Sequence, residues 1–149
     1  IKVLKGHQKC LYLGNLKSKR DWGHAKEFVE AQWKILQFKK ADDFVIATGK
    51  NYSIKDLVNL VLKKLGIKYS WKKDKKGLEY AVALNEIGQI KKSQTIVKQE
   101  KIYFRPNEVH DLVGDYRKAK KLLKWKPKIN FKNLIKEMVH SDIEKFKNG

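Results

Sequence analysis

Apolar residues along this chain alternate between short compact runs and longer stripes with helical spacing. Residues 9–13 (KCLYL) form one run and residues 43–48 (DFVIAT) another, and a glycine follows each. Such runs are typical of strands, and residues 43–48 have the composition of a strand buried on both faces. Residues 23–38 carry a helical stripe made of Ala25, Phe28, Val29, Gln32 and Leu36, widened by Trp33 and Ile35. Asp21 stands near the start of that helix, where a carboxylate favours the positive end of the dipole.

A second helix is predicted from its boundary signals. Ser53 and Asp56 have the spacing of a capping box, and Gly66 stands in the expected terminating position. The stripe between them consists of Ile54, Leu57, Val58, Val61, Leu62 and Leu65. Residues 67–71 then alternate like a strand, and residues 77–100 predict a hairpin-like excursion.

Two more helices complete the pattern. One is predicted at about residues 116–123 and the other at about residues 131–146, with Asn130 as the N-cap of the second. The predicted interior positions of the last helix are Leu134, Ile135, Met138, Val139, Ile143 and Phe146. Because strands alternate with helices, the sequence predicts an α/β fold.

The charge of the chain is large and evenly distributed. Lysine and arginine number 35 against 16 acidic residues, a net charge of +19, and the lysines occur in every segment. Surfaces that bind nucleic acid usually use arginine for base edges and phosphates. Since only three residues are arginine, a lysine-rich nucleic-acid-binding module is the less favoured alternative.

The length and composition allow a globular domain with a real core. The 149 residues are 42% hydrophobic, and no apolar run approaches the roughly 20 residues of a membrane helix. Cys10 is the single cysteine and lies in an apolar run, so we predict a buried thiol, no internal disulfide and a reducing, cytoplasmic location. The first residue is Ile rather than Met, which we take to indicate that the sequence begins within a longer protein.

Two of the three arginines lie in motif-like clusters. Arg20 begins RDWGH and Arg105 is the third residue of YFRPNE, whereas Arg117 lies on a predicted helix surface. Guanidinium is a planar fork that grips phosphate or carboxylate through paired hydrogen bonds, and lysine is a mobile point charge. A chain that otherwise uses lysine is therefore expected to need the fork at these two places.

Each cluster has a functional and a purely structural interpretation. Arg20 precedes a helix N-terminus, which favours a phosphate-binding corner, but it could equally be a loop residue. Pro106 stiffens the backbone after Arg105, so Arg105 could meet a phosphate while Glu108 accepts hydrogen bonds from sugar hydroxyls. The alternative is an exposed Arg105–Glu108 ion pair of little energetic value.

Other candidate chemistry is weak. His110, Asp111 and Asp115 do not have the spacing of a standard metal site. Tyr-x-x-x-Lys occurs at Tyr69 and at Tyr116, but chance explains both in so lysine-rich a chain. No glycine-rich dinucleotide fingerprint occurs.

The clusters, in this order, resemble the GDP-mannose 4,6-dehydratase family of extended short-chain dehydrogenase/reductases (SDRs). The matching segments are LGNL (13–16), RDWGHAK (20–26), DFVIATG (43–49), YFRPxEV (103–109), GD (114–115), WKP (125–127), EMV (137–139) and Asp142. The resemblance covers nearly the whole chain except residues 77–100. It implies the C-terminal portion of an extended SDR, in which residues 1–49 are the last elements of an NADP-binding Rossmann domain and residues 50–149 form the substrate-binding subdomain.

The resemblance also implies a function. The whole enzyme would use NADP to convert GDP-mannose to GDP-4-dehydro-6-deoxy-mannose, as a homo-oligomer, in deoxyhexose biosynthesis such as that of GDP-fucose. Its catalytic residues would lie upstream of Ile1, and this segment would hold the GDP: Arg20 and Arg105 at the diphosphate, Glu108 at a ribose hydroxyl, and Gly14 and Asn15 lining the pocket. Surface that the missing half covers would be exposed here. A relative that binds a nucleotide sugar but has lost turnover remains a further alternative.

Overall fold

The computed structural model describes residues 1–107, 109 and 111–146. The helices are α1 (Ala25–Leu36), α2 (Ile54–Lys64), α3 (Arg117–Leu122) and α4 (Phe131–Lys145), and a single 3-10 turn spans Lys101–Tyr103. The strands are β1 (Leu11–Leu13), β2 (Lys19–Asp21), β3 (Asn51–Ser53), β4 (Tyr69–Lys73), β5 (Glu79–Ala83) and β6 (Thr95–Gln99). The predicted strand–helix alternation is therefore present. No helix in the described part of the chain is long and apolar enough to cross a membrane.

Four strands form one mixed sheet in the order β1-β6-β5-β4. The hairpin predicted within residues 77–100 is confirmed, because β5 and β6 pair antiparallel. β1 joins the far edge parallel to β6, with Leu11 opposite Val97 and Leu13 opposite Gln99. A separate antiparallel ribbon pairs β2 with β3. The parallel pairing brings the ends of β1 and β6 together, and the candidate site lies there.

Helix α2 covers the sheet. Val58 and Leu62 from its stripe are buried in one cluster with Ile67, Ala81, Ala83, Ile90, Ile96 and Val97. The predicted capping box is confirmed, since the Ser53 hydroxyl accepts from the Asp56 amide and the Asp56 carboxylate accepts from the Ser53 amide.

Helix α4 packs on the other side of α2 through Phe131, Ile135 and Val139. Its predicted N-cap is confirmed, because the Asn130 side chain accepts from the Asn133 amide. Met138 was predicted to be interior, and this is wrong, because its side chain is 52% exposed. Successive helical residues are about 100° apart, so Met138 points away from the face that Val139 presents to α2.

Helix α1 buries a different face from the predicted one. Phe28, Ala31 and Ile35 pack against Ala119, Leu123 and Trp125, whereas Val29, Trp33 and Leu36 are 61%, 62% and 81% exposed. The helix has two apolar faces, and the described residues cover only one of them. The other remains an open apolar surface, as the resemblance implies.

The strand predicted at residues 43–48 is not formed. The segment has no strand partner among the described residues; Ala47 is buried and Val45 is 53% exposed. A strand needs a neighbour for its backbone hydrogen bonds, and the sheet present here is built from other segments. Phe44 and Ile46 instead pack beside α1 and α3.

Candidate functional site

The loop after β1 lies directly against the segment that leads to Arg105. A Cβ atom at Gly14 would come within 2.3 Å of the Tyr103 carbonyl oxygen, so only glycine permits this approach. Two hydrogen bonds close the same corner: the Gln99 amide side chain donates to the Gly14 carbonyl at 3.1 Å, and the Glu100 backbone N–H donates to the Leu13 carbonyl at 2.9 Å. The structure thus brings together Gly14 and the YFRP segment, which lie far apart in sequence.

Asn15 orders the turn that follows Gly14. Its side-chain oxygen accepts a hydrogen bond from the Lys17 amide at 3.0 Å, the geometry of an Asx turn. Beside it a small cleft of about 220 Å³ is lined by Asn15, Lys17, Lys73, Gly77, Leu78, Glu79, Gln99 and Phe104. The cleft combines the apolar side chains of Leu78 and Phe104 with two lysines, one glutamate and the side-chain amides of Asn15 and Gln99, a mixed lining of the kind that small-molecule sites use.

Arg20 connects the two arginine clusters. It lies in the centre of β2, and its Nη1 donates to the Lys19 carbonyl at 2.7 Å and to the Val109 carbonyl at 2.8 Å. Val109 follows Arg105 by four residues, so this guanidinium holds the loop that carries the second arginine.

Arg105 is exposed at the start of that loop. Within the part of the chain that the structure describes, its guanidinium has no hydrogen-bond or ion-pair partner, and so its donors are available to a ligand. Glu108, the predicted ribose ligand, lies outside the described residues, and its assignment stays a prediction.

Asp111 contacts the β2–β3 ribbon. Its carboxylate accepts from the Asn51 side-chain amide and lies 3.5 Å from the Lys19 ammonium. Sequence analysis rejected Asp111 as a metal ligand and favoured a solvated loop at this position. Among residues 1–107, 109 and 111–146, no group of three or more His, Cys, Asp or Glu side chains is placed to hold a metal ion.

Asp21 was predicted to interact with the dipole at the N-terminus of α1, but its carboxylate binds Thr48 and Gly49 instead. Its carboxylate accepts from the Thr48 amide at 2.8 Å, the Thr48 hydroxyl at 2.5 Å and the Gly49 amide at 2.9 Å. The N-cap of α1 is His24, whose Nδ1 accepts from the Lys26 amide. Asp21 is three residues away from that cap and instead fastens the end of residues 43–48 to β2.

Two buried polar residues of α1 were missed by sequence reasoning. His24 is 7% exposed, and its Nε2 lies 3.2 Å from a Glu137 carboxylate oxygen. Because its Nδ1 accepts a hydrogen bond, Nε2 carries the proton and donates to Glu137. This contact joins the N-cap of α1 to α4, and its only sequence signal was that His24 and Glu137 both lie in segments of the family resemblance, RDWGHAK and EMV.

Glu27 is the second of these residues. Its Oε1 accepts from the Lys128 and Ile129 amides at 2.7 and 3.1 Å, and its backbone carbonyl accepts from the Trp125 indole at 3.0 Å. A buried carboxylate needs such donors. Glu27 therefore fixes the WKP segment between α3 and α4, close to the N-terminal end of α1.

The sequence is similar to that of one family of known proteins along nearly its whole length. A family described as GDP-mannose 4,6 dehydratase matches residues 1–138. The chain is 45% identical to the GDP-mannose 4,6 dehydratase of Dictyostelium discoideum over 97% of its own length and 38% of that protein. It is 42% identical to the Homo sapiens enzyme of the same name over 96% of its length and 37% of that protein.

Solved structures show the same fold at low sequence identity. RMD from Pseudomonas aeruginosa, complexed with NADPH, matches 97% of this chain and 39% of its own with a TM-score of 0.67 at 17% identity. UDP-glucose 4-epimerase from Thermotoga maritima, with UDP-glucose, matches 97% and 38% with a TM-score of 0.67 at 19% identity. The predicted fold class, α/β and a portion of an extended SDR, is thus confirmed.

The chain spans less than two fifths of the curated relatives described above. The range that the family matches, residues 1–138, includes both arginine clusters and the Gly14 corner. The chain belongs to the GDP-mannose 4,6-dehydratase family.

Proposed function

We propose that this chain is the nucleotide-sugar-binding part of a GDP-mannose 4,6-dehydratase, a hydro-lyase. The whole enzyme would convert GDP-mannose to GDP-4-dehydro-6-deoxy-mannose. The observation that carries the proposal is the convergence of Gly14, Arg20 and the segment around Arg105, joined by the hydrogen bond from Arg20 to Val109. Membership of the GDP-mannose 4,6-dehydratase family supports the choice of GDP-mannose as the proposed ligand.

Arg20 and Arg105 are proposed to bind the diphosphate of GDP. Two guanidinium forks provide paired, charge-assisted hydrogen bonds to phosphate oxygens, and the Arg105 donors have no partner among the described residues. Gly14 and Asn15 would line the nucleotide pocket next to Phe104, and Glu108 would accept from a ribose hydroxyl. The cleft beside Asn15 is consistent with this arrangement, since it lies next to both Asn15 and Phe104.

NADP is proposed to be bound by a part of the enzyme outside this chain. The residues present do not fit the cofactor by themselves, because the chain has no glycine-rich dinucleotide fingerprint. In the whole enzyme NADP would supply reversible hydride-transfer chemistry, and residues outside this chain would hold it. The residues of this chain would bind and orient the substrate, and the catalytic residues would lie upstream of Ile1.

Residues 1–49 are proposed to complete that NADP-binding domain, and residues 50–149 to form most of the substrate subdomain. Two features support this division. Residues 43–48 have no strand partner here and could pair with a larger sheet. The open face of α1 is an apolar surface that such a domain could cover. We further propose that the whole enzyme is a cytoplasmic homo-oligomer that supplies a deoxyhexose pathway of the GDP-fucose type.

Calorimetric titration of the chain with GDP, UDP and inorganic diphosphate tests the proposal. We expect GDP to bind more tightly than either competitor, and we expect no product from GDP-mannose and NADP with the chain alone. Equal affinity for GDP and UDP would contradict the family-specific substrate. A preference for duplex DNA that falls steeply with salt would favour the nucleic-acid alternative instead.

A further inference from the structure

The loop that carries Arg105 is fixed closely at its two ends. Upstream, Gly14 lies against the Tyr103 carbonyl, and downstream a Cβ atom at Gly114 would come within 2.3 Å of the Ala47 Cβ. Between these points Val109, Leu112 and Val113 are 54%, 52% and 52% exposed. The middle of the loop therefore has little hydrophobic contact to hold it.

Polar contacts to the β2–β3 ribbon hold the middle of the loop. Asp111 accepts from the Asn51 amide and lies 3.5 Å from the Lys19 ammonium, and Arg20 donates to the Val109 carbonyl. In the ribbon Asp21 pairs with Asn51 and Lys19 pairs with Ser53, so Lys19 and Asn51 share one face and Arg20 lies on the other. The loop is thus attached to the same ribbon that carries the first arginine, and from both of its faces.

We propose that Asp111, held by Asn51 and Lys19, is a positioning residue that latches the Arg105 loop onto the ribbon bearing Arg20. The latch sets where Arg105 lies relative to Arg20 before any ligand arrives. Its consequence for binding rests on the proposed function, in which both arginines grip the diphosphate of GDP.

The physical reason is preorganisation. A loop that is free in the absence of ligand must be ordered on binding, and that ordering lowers the affinity. Asp111 and Lys19 are both substantially exposed, so the ion pair itself adds little to global stability. Loss of the latch should therefore lower affinity for GDP while leaving the unfolding temperature almost unchanged.

The direction of the change in GDP affinity distinguishes a positioning role of Asp111 from a purely electrostatic one. Asp111→Ala removes a negative charge from beside the ribbon that carries Arg20, and by charge alone it would strengthen binding of an anion. The latch predicts the opposite. Asp115→Ala is the matched control, because it removes the same charge four residues later from a carboxylate that pairs with Arg117 and not with the ribbon.

The binding experiment titrates GDP into the wild-type chain and the variants at one ionic strength. We expect Asp111→Ala and the uncharged Asn51→Ala to weaken GDP binding at least fivefold, and Asp115→Ala to bind within twofold of wild type or more tightly. GDP binding by Asp111→Ala that equals or exceeds wild type overturns the positioning role.

Amide hydrogen exchange of residues 104–113 without ligand provides an independent measurement. We expect faster exchange in Asp111→Ala and Asn51→Ala, and unchanged exchange in Asp115→Ala; equal rates in all three overturn the latch. If the wild-type chain does not bind GDP, the proposed function fails, and the exchange rates alone still decide whether the latch exists.

Discussion

The three arginines of this chain have the same charge and different surroundings. Arg20 donates to the Val109 carbonyl, Arg105 has no partner among the described residues, and Arg117 pairs with Asp115 at 2.6 Å. The Asp115 carboxylate has its pKa held below the ordinary value by the Arg117 hydrogen bond. Arg117 is thus engaged by a carboxylate just before α3, while Arg20 contacts, and Arg105 lies in, one loop.

Replacing Arg20 or Arg105 with lysine should weaken GDP binding. Lysine keeps the charge and loses the planar fork, so we expect affinity to fall about tenfold or more for either change, roughly 1.4 kcal/mol. Arg117→Lys is the control and should bind within twofold of wild type. Calorimetric titration with GDP measures all three, and unchanged affinity in the first two would remove their proposed role.

Asp21 should contribute measurably to stability. Its carboxylate accepts three hydrogen bonds from Thr48 and Gly49, and hydrogen bonds to a charged acceptor are each worth about 1.5–3 kcal/mol. We expect Asp21→Ala to lower the free energy of unfolding by about 2 kcal/mol in urea titrations, and Asp21→Asn by less. A loss below about 0.5 kcal/mol for the alanine variant would contradict the contacts described.

Cys10 should react slowly in the folded chain. Burial raises the pKa of its thiol above the ordinary 9.0, and the nearby Lys98 ammonium offsets part of that rise. Alkylation at pH 8 should therefore be slow without denaturant and fast with it. Because the folded pKa is raised, the contribution to stability is present below pH 9.0 and is lost as pH rises towards the folded pKa. Equal alkylation rates with and without denaturant would show that the thiol is accessible.

Among the elements, those defined by local signals were predicted correctly. The capping box of Ser53 and Asp56 and the Asn130 cap depend on residues three apart, and both are present. The parallel pairing of β1 with β6 depends on strands far apart in sequence, and no local pattern indicates it. Residues 43–48 have the apolar composition of a buried strand but no neighbouring strand to pair with. The presence of a neighbouring strand cannot be inferred from the composition of the segment itself.

The candidate site was partly predictable for the same reason. The rarity of arginine drew attention to Arg20 and Arg105 directly, whereas Gly14 entered the candidate site through the family resemblance. The contacts of Asp111 and Val109 with the ribbon arise from the path of a long loop, so they could not be inferred from spacing. The ligand roles of Gly14, Asn15, Arg20, Arg105 and Glu108 stay predictions.

Substitutions on the two faces of α1 should affect stability very differently. Leu36 is 81% exposed and Ala31 is fully buried. We expect Leu36→Lys to change the free energy of unfolding by less than about 0.5 kcal/mol and to reduce binding of a hydrophobic dye. Ala31→Lys on the opposite face should cost more than about 3 kcal/mol, because it places an unpaired charge in the core. Equal losses in urea titrations would contradict the assignment of buried and open faces.

The described residues form a four-stranded sheet, the β2–β3 ribbon and four α-helices, with one apolar surface that is covered and another that is open. The covered surface includes the buried cluster between α2 and the four-stranded sheet and the contact between α4 and α2. The open surface comprises the exposed face of α1 and, within residues 43–48, the half-exposed Val45. The relatives are more than twice as long as this chain, and the division fits the proposal that the chain holds substrate while another part of the protein carries out the chemistry.

A crystal structure of the chain grown with GDP would test the central proposal most directly. We predict diphosphate oxygens within hydrogen-bonding distance of the guanidinium groups of both Arg20 and Arg105, with the base beside Asn15 and Phe104. GDP bound elsewhere, such as in the open cleft between α2 and α4 lined by Tyr52, Asn59 and Phe131, would contradict it.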